Sequence, residues 1–190
     1  MDMTFTQAQS DLRRAYCSGA AGILASALAW SASAGTAAFV SPEKAIWVLL
    51  VGGALIHPVG LVICRLLGAP GSHAKGNPLG LLAGASTFWL IFCLPLAYGL
   101  GLRQPAWFFA AMLLVIGGRY LVFGTLYGMR LYWALGLALA GAGFVLAWLG
   151  AAALMIVGVG AAIETVFGVA CVVEHRRWTA LGPSGNTQTK

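Results

Sequence analysis

From Leu131 to Val173 the sequence carries a single charged residue, Glu164. An apolar stretch of that length is far too long for one helix across a hydrocarbon core of about 30 Å, so it must double back. The break falls at Leu149-Gly150, where a tight helical hairpin resolves the conflict. The rest of the chain divides in the same way at polar or helix-breaking positions. Ser41-Pro42-Glu43 can start a helix, Gly68 to Pro78 is rich in breakers, and Arg103-Gln104-Pro105 resets the chain. Six segments result, at 16–40, 44–67, 79–101, 105–128, 131–149 and 151–173.

The expected fold is therefore all-α: a polytopic six-transmembrane-helix bundle. Residues 1–15 form an N-terminal segment, 16–173 the membrane domain, and 174–190 a C-terminal tail. The tail 174–190 is read as flexible, above all from Gly182 onward, where it cannot bury apolar area. Arg13-Arg14 and the small residues near Ser33-Ala34 imitate a secretory signal. The apolar stretch from Tyr16 to Val40 is nevertheless long enough to span, and it reads as a first transmembrane helix.

Composition agrees. Hydrophobic residues make up 60% of the chain and charged ones 8%, against about 25% charged in ordinary soluble domains. The net charge of +6 does not point to nucleic acid, because the basic residues form no stripe or aromatic-interleaved patch. Topology accounts for them. With the N-terminus inside, Arg13, Arg14, Arg65, Lys75, Arg130, Arg176, Arg177 and Lys190 are cytoplasmic, and only Lys44 and Arg103 lie opposite. That bias predicts both termini in the cytoplasm of a bacterial-type inner membrane, with Trp47, Trp107, Trp148 and Trp178 as interface anchors.

Cys17, Cys64, Cys93 and Cys171 are isolated in or beside apolar segments without metal-ligand spacing, and they read as small buried apolar residues. No metal or cofactor is implied. The glycine pairs Gly124/Gly128 and Gly136/Gly143 bring helix backbones together, and the Ser- and Ala-rich Ala25 to Ser33 stretch reads as a helix interface. Nucleotide-binding glycine motifs and a serine nucleophile elbow are absent.

An ionisable side chain deep in a span is a candidate functional residue, because burying it costs roughly 2.5–3.5 kcal/mol even on lenient scales. Counting at 1.5 Å per residue from the external edge puts Arg119 at roughly 21 Å and both Glu164 and His57 at roughly 20 Å. Arg119 and Glu164 are expected to face each other as a bidentate pair, either a structural bridge or part of a site. His57 precedes Pro58, which frees a backbone carbonyl, so it could equally satisfy a kinked helix. Tyr120, Thr125 and Tyr127 add hydrogen-bonding groups, Tyr127 also as a headgroup anchor. On the cytoplasmic side, Lys75-Gly76-Asn77-Pro78 reads as an N-cap with proline at the first helical position. With His73 nearby, it is also a candidate anion site.

Gly76-Asn-Pro-Leu79, Gly118-Arg-Tyr-Leu-Val-Phe-Gly-Thr-Leu-Tyr127 and Glu164 together resemble a group of small bacterial membrane proteins known as domain of unknown function 7010. The likeness covers most of the chain from first helix to last. It implies a membrane fold with emphasis on these segments and supplies no activity. The family is associated with histidine at the position of Arg119 and proline at that of Val122, so proton chemistry carried by such a histidine does not transfer.

Two functions compete on this reading. One is a small channel- or carrier-like protein, alone or as a homo-oligomer, that takes a small polar or anionic solute at Arg119, Glu164, His57 and Tyr120. The other is a membrane interaction or lipid-binding protein in which the Arg-Glu pair is structural. Membrane lipids are partners on either view. A Glu/His set without an activated nucleophile gives little ground for an enzyme.

Overall fold

The computed structural model describes residues 3–182. Seven α-helices are present among the described residues: α1 (Phe5–Ala15), α2 (Ala20–Phe39), α3 (Pro42–Leu66), α4 (Pro78–Arg103), α5 (Pro105–Tyr127), α6 (Arg130–Trp148) and α7 (Ala153–Ala180). A single 3-10 turn, Cys17–Gly19, joins α1 to α2. Six helices, α2 to α7, are long and apolar enough to cross a membrane, as the sequence predicts. The chain is a multi-pass membrane protein. Of the tail read as flexible, residues 174–180 continue α7 as helix, and 183–190 lie outside the described residues.

The sequence breaks become helix ends by identifiable chemistry. Ser41 and Asn77 each accept a backbone N–H of the helix they open, and proline occupies the first turn of α3, α4 and α5, where its missing donor costs nothing. The hairpin between α6 and α7 turns on Gly150, whose φ of 64° lies where a side chain would be strained. The Ala151 N–H returns to the Leu146 carbonyl at 2.9 Å and closes the end of α6.

In the bundle, α2 packs on α3 and α7, α7 also meets α6, and α5 lies between α4 and α6. This gives a ring in the order α3, α2, α7, α6, α5, α4. The ring is not closed: α3 and α4, neighbours in sequence, hardly touch. The best-packed region lies among α2, α5, α6 and α7, where Trp30, Phe108, Leu113, Leu135, Leu139 and Val157 are fully buried. Phe88, Trp89, Phe92 and Leu96 of α4 are exposed, as suits a lipid-facing helix.

Lipid is as apolar as leucine, so close van der Waals contact must hold these helices together. Gly136 and Gly143 let α6 approach α5 in this way. A Cβ at Gly136 would sit 2.7 Å from the Gly117 carbonyl oxygen, and one at Gly143 would sit 2.8 Å from that of Ala110. The pair Gly124/Gly128 acts differently from the expectation. Gly124 makes room for the Trp133 side chain and Gly128 for that of Gln9, so neither brings two backbones together.

The N-terminal segment is itself a helix. A capping box between Thr4 and Gln7 starts α1, and its Ala8, Leu12 and Ala15 face is buried across one end of the bundle. Gln9 donates to the Thr125 carbonyl at 2.7 Å, and Arg13 donates to the carbonyls of Tyr127 (2.6 Å) and Gly128 (3.1 Å). These are carbonyls left without partners where α5 ends, and a cation there complements the helix dipole. Burial pushes the Arg13 guanidinium below its ordinary value, opposed by the nearby Glu174 carboxylate.

Between α1 and α2, Cys17 and Ser18 have φ of 52° and 56°, a region costing non-glycine residues about 1–3 kcal/mol each. Tyr132 donates to the Ser18 carbonyl at 2.7 Å, and the Ser18 hydroxyl bonds His175 Nδ1 at 2.9 Å. Gly19 follows at φ 85°, where a Cβ would collide with the Tyr132 hydroxyl.

Candidate functional site

The side of α5 with Met112, Ile116, Tyr120, Phe123 and Tyr127, spaced three to four residues apart as a helix requires, carries Arg119 at its edge. This face lines a cavity of about 520 Å³, whose other walls come from α2, α3 and α4. Small residues of α2 and α3, among them Gly22, Ser26, Gly53 and Gly60, leave the space that larger side chains would fill. Toward α1 the walls are Tyr16, Cys64 and Tyr127, and toward the far end they stop at Leu49, Leu94 and Met112. Burial pushes the Tyr16 phenol up, and its hydroxyl lies 2.9 Å from His73 Nδ1.

Arg119 enters this cavity half-buried. It donates from Nη2 to the Thr87 hydroxyl at 3.0 Å, and its guanidinium carbon lies 5.0 Å from the centre of the Phe123 ring. Its Nε has no hydrogen-bond partner. His57 lines the same cavity from α3 and is exposed.

Glu164 is fully buried and is not part of the cavity wall. The expected pairing with Arg119 is not formed. Oε2 instead accepts from the Tyr120 hydroxyl at 2.9 Å, and Oε1 has no partner. The reason is rotational: successive residues on a helix point about 100° apart, so α5 turns Tyr120 toward α7 and Arg119 toward α4. Tyr120 thus connects the two halves of the expected cluster, with its ring on the cavity and its hydroxyl on the carboxyl group.

The Lys75 to Pro78 segment opens α4 as anticipated, with Asn77 Oδ1 accepting from the Leu79 N–H at 3.0 Å. The Asn77 amide nitrogen donates to the Ala8 carbonyl at 3.0 Å and to Asp11 Oδ2 at 2.8 Å, and the Ala74 N–H donates to the same carboxylate oxygen. A carboxylate of the chain itself therefore sits against this helix start. Lys75 and Gly76 are exposed beside it. Tyr127 is buried in an aromatic cluster, its ring stacked on that of Tyr132 with centroids 5.3 Å apart, and it does not serve as a headgroup anchor.

Sequence reasoning missed Thr87, Phe123 and Ser26. The first two lie at the right depth but carry no charge to draw attention. The stretch from Ala25 to Ser33 divides: Ser33 donates to the Ala45 carbonyl at the interface with α3, as expected, whereas Ser26 lines the cavity. Cys17, Cys64 and Cys171 are buried and Cys93 is partly so.

Six spans, of which α2, α3, α4 and α5 wall a cavity that Arg119 enters, make this an integral membrane protein. The chain belongs to the family of unknown function DUF7010, which matches residues 5–174. No curated protein and no solved structure matches it.

Proposed function

We propose that this protein binds an anionic ligand at Arg119 within the membrane, in a bacterial inner membrane with both termini cytoplasmic. The observation that carries the reading is a guanidinium on the wall of a ligand-sized cavity without a carboxylate partner. Ligand cavities run from roughly 300 to 1,000 Å³ and combine apolar walls with a few polar groups, and this one fits that description. A cation in such surroundings gains most from an acceptor it does not yet have, and the guanidinium fork suits a carboxylate or phosphate. His57, Tyr120 and Ser26 supply further polar contacts. Because the cavity walls stop short of the far end, binding or carrier-like behaviour is favoured over an open channel through one chain.

Benzoate and its uncharged twin benzamide test the proposal on the purified protein by thermal shift. Benzoate is expected to raise Tm above the benzamide control in the parent, and Arg119→Gln to abolish the difference. Equal responses to the two compounds in the parent would remove the basis for the proposal.

A further inference from the structure

We infer that the ligand is an anionic amphiphile drawn from the bilayer, with its carboxylate or phosphate at Arg119 and its hydrocarbon chain in the gap between α3 and α4. The inference rests on the anion reading above and adds the class of ligand and its route. It follows from where the cavity opens. Ala54 and His57 on α3 and Ile91 on α4 line the cavity and are exposed at the same time, so they form its rim. The two helices that carry them hardly touch. Counting along the helices puts Ala54 roughly 18 Å and Ile91 roughly 20 Å from the starts of α3 and α4, near the middle of each span. The opening therefore faces hydrocarbon and not the aqueous edge.

A hydrated anion with little or no apolar body, such as phosphate or butanoate, cannot approach through that opening, because it would first have to shed its water into lipid, whereas an aromatic ring like that of benzoate already partitions there. An amphiphile dissolved in the bilayer can. Its chain exchanges lipid contacts for the apolar walls formed by Leu50, Leu90, Ile91 and Leu94, and its head group reaches the guanidinium donors of Arg119. Such a chain gains little from apolar contact alone, since lipid offers the same. Selectivity must then come from the head group and from the space available for the chain. Gly53 on α3 and Gly22 on the neighbouring α2 provide that space: a Cβ on either would meet nothing within 4 Å.

The test uses the full chain in nanodiscs with 11-(dansylamino)undecanoate as the probe, its emission rising in apolar surroundings. All amphiphile concentrations are expressed as mole fraction of lipid. Oleate is expected to displace the probe at least tenfold more effectively than oleyl alcohol, and butanoate and inorganic phosphate are expected to fail at a hundredfold excess. Arg119→Gln should erase the preference for oleate over the alcohol. Gly53→Trp should weaken probe binding at least tenfold, and Gly22→Leu provides a second obstruction from α2, each variant accepted only if its Tm matches the parent. If butanoate or phosphate competes as well as oleate, the amphiphile is overturned while the anion site stands. If oleate and oleyl alcohol compete equally in the parent, the anion site falls and this inference with it. Full probe binding in both glycine variants would show that the chain lies elsewhere.

Discussion

Glu164 holds one oxygen on the Tyr120 hydroxyl and the other on nothing, inside a bundle that admits no solvent to it. Tyr120→Phe keeps the ring on the cavity wall and removes the one donor. It is expected to cost about 1–3 kcal/mol, read as a lowered Tm in detergent, because a buried polar group is left unsatisfied. An unchanged Tm would mean that Glu164 finds its stabilisation elsewhere. The level of this site was legible in the sequence, since counting residues from each helix end needs only the rise per residue. The pairing was not. Arg119 and Tyr120 are adjacent in sequence and equal in depth, and which of them meets α7 depends on the rotation of α5 about its axis, which packing against α4, α6 and α7 decides.

Among the helices, α5 and α6 make the closest backbone approach described here, through Gly117, Gly136 and Gly143. Gly136→Leu would drive a side chain into the Gly117 carbonyl, which cannot move without shifting the helix. The expected loss is about 1–3 kcal/mol or more, measured as Tm. Gly141→Leu on the same helix meets nothing within 4 Å and serves as the control that should stay near the parent. Abundant glycine made close packing predictable, but the partner of Gly136 was hidden because Gly117 belongs to no regular pair with it in sequence. The element most fully overlooked was α1. Its Thr4/Gln7 capping box and its apolar residues at 8, 12 and 15 are visible once a helix is sought there, yet polarity alone makes the segment look like a solvated end. Its charges have definite places. Asp11 lies at the start of α4 and Arg13 at the end of α5, each opposite the helix pole it complements.

For the molecule as a whole, the proposed orientation rests on the sequence bias of eight basic residues against two across the loops and ends. A cysteine replacing Arg103 is expected to react with a membrane-impermeant maleimide in intact cells, and one replacing Lys75 only after lysis. The reverse pattern would invert the protein in its membrane. Span number and most boundaries were readable because hydrocarbon thickness imposes a length on every helix, although α7 runs on to Ala180, past the expected end at 173. The order of helices around the ring was not, since nothing in the composition of α3 and α4 says that neighbours in the chain will stand apart.

That order bears on biosynthesis. The buried face of α2, with Trp30 at its centre, packs against α7, the last of the six spans in chain order. Tyr132 and His175 hold the left-handed turn before α2 from α6 and α7. The first span can pair early with α3, but its face toward α7 must wait in the bilayer until the sixth span has been inserted. Chains ending at Ala152 are expected to be cleared in pulse-chase labelling much faster than the full protein, however well their first five spans insert.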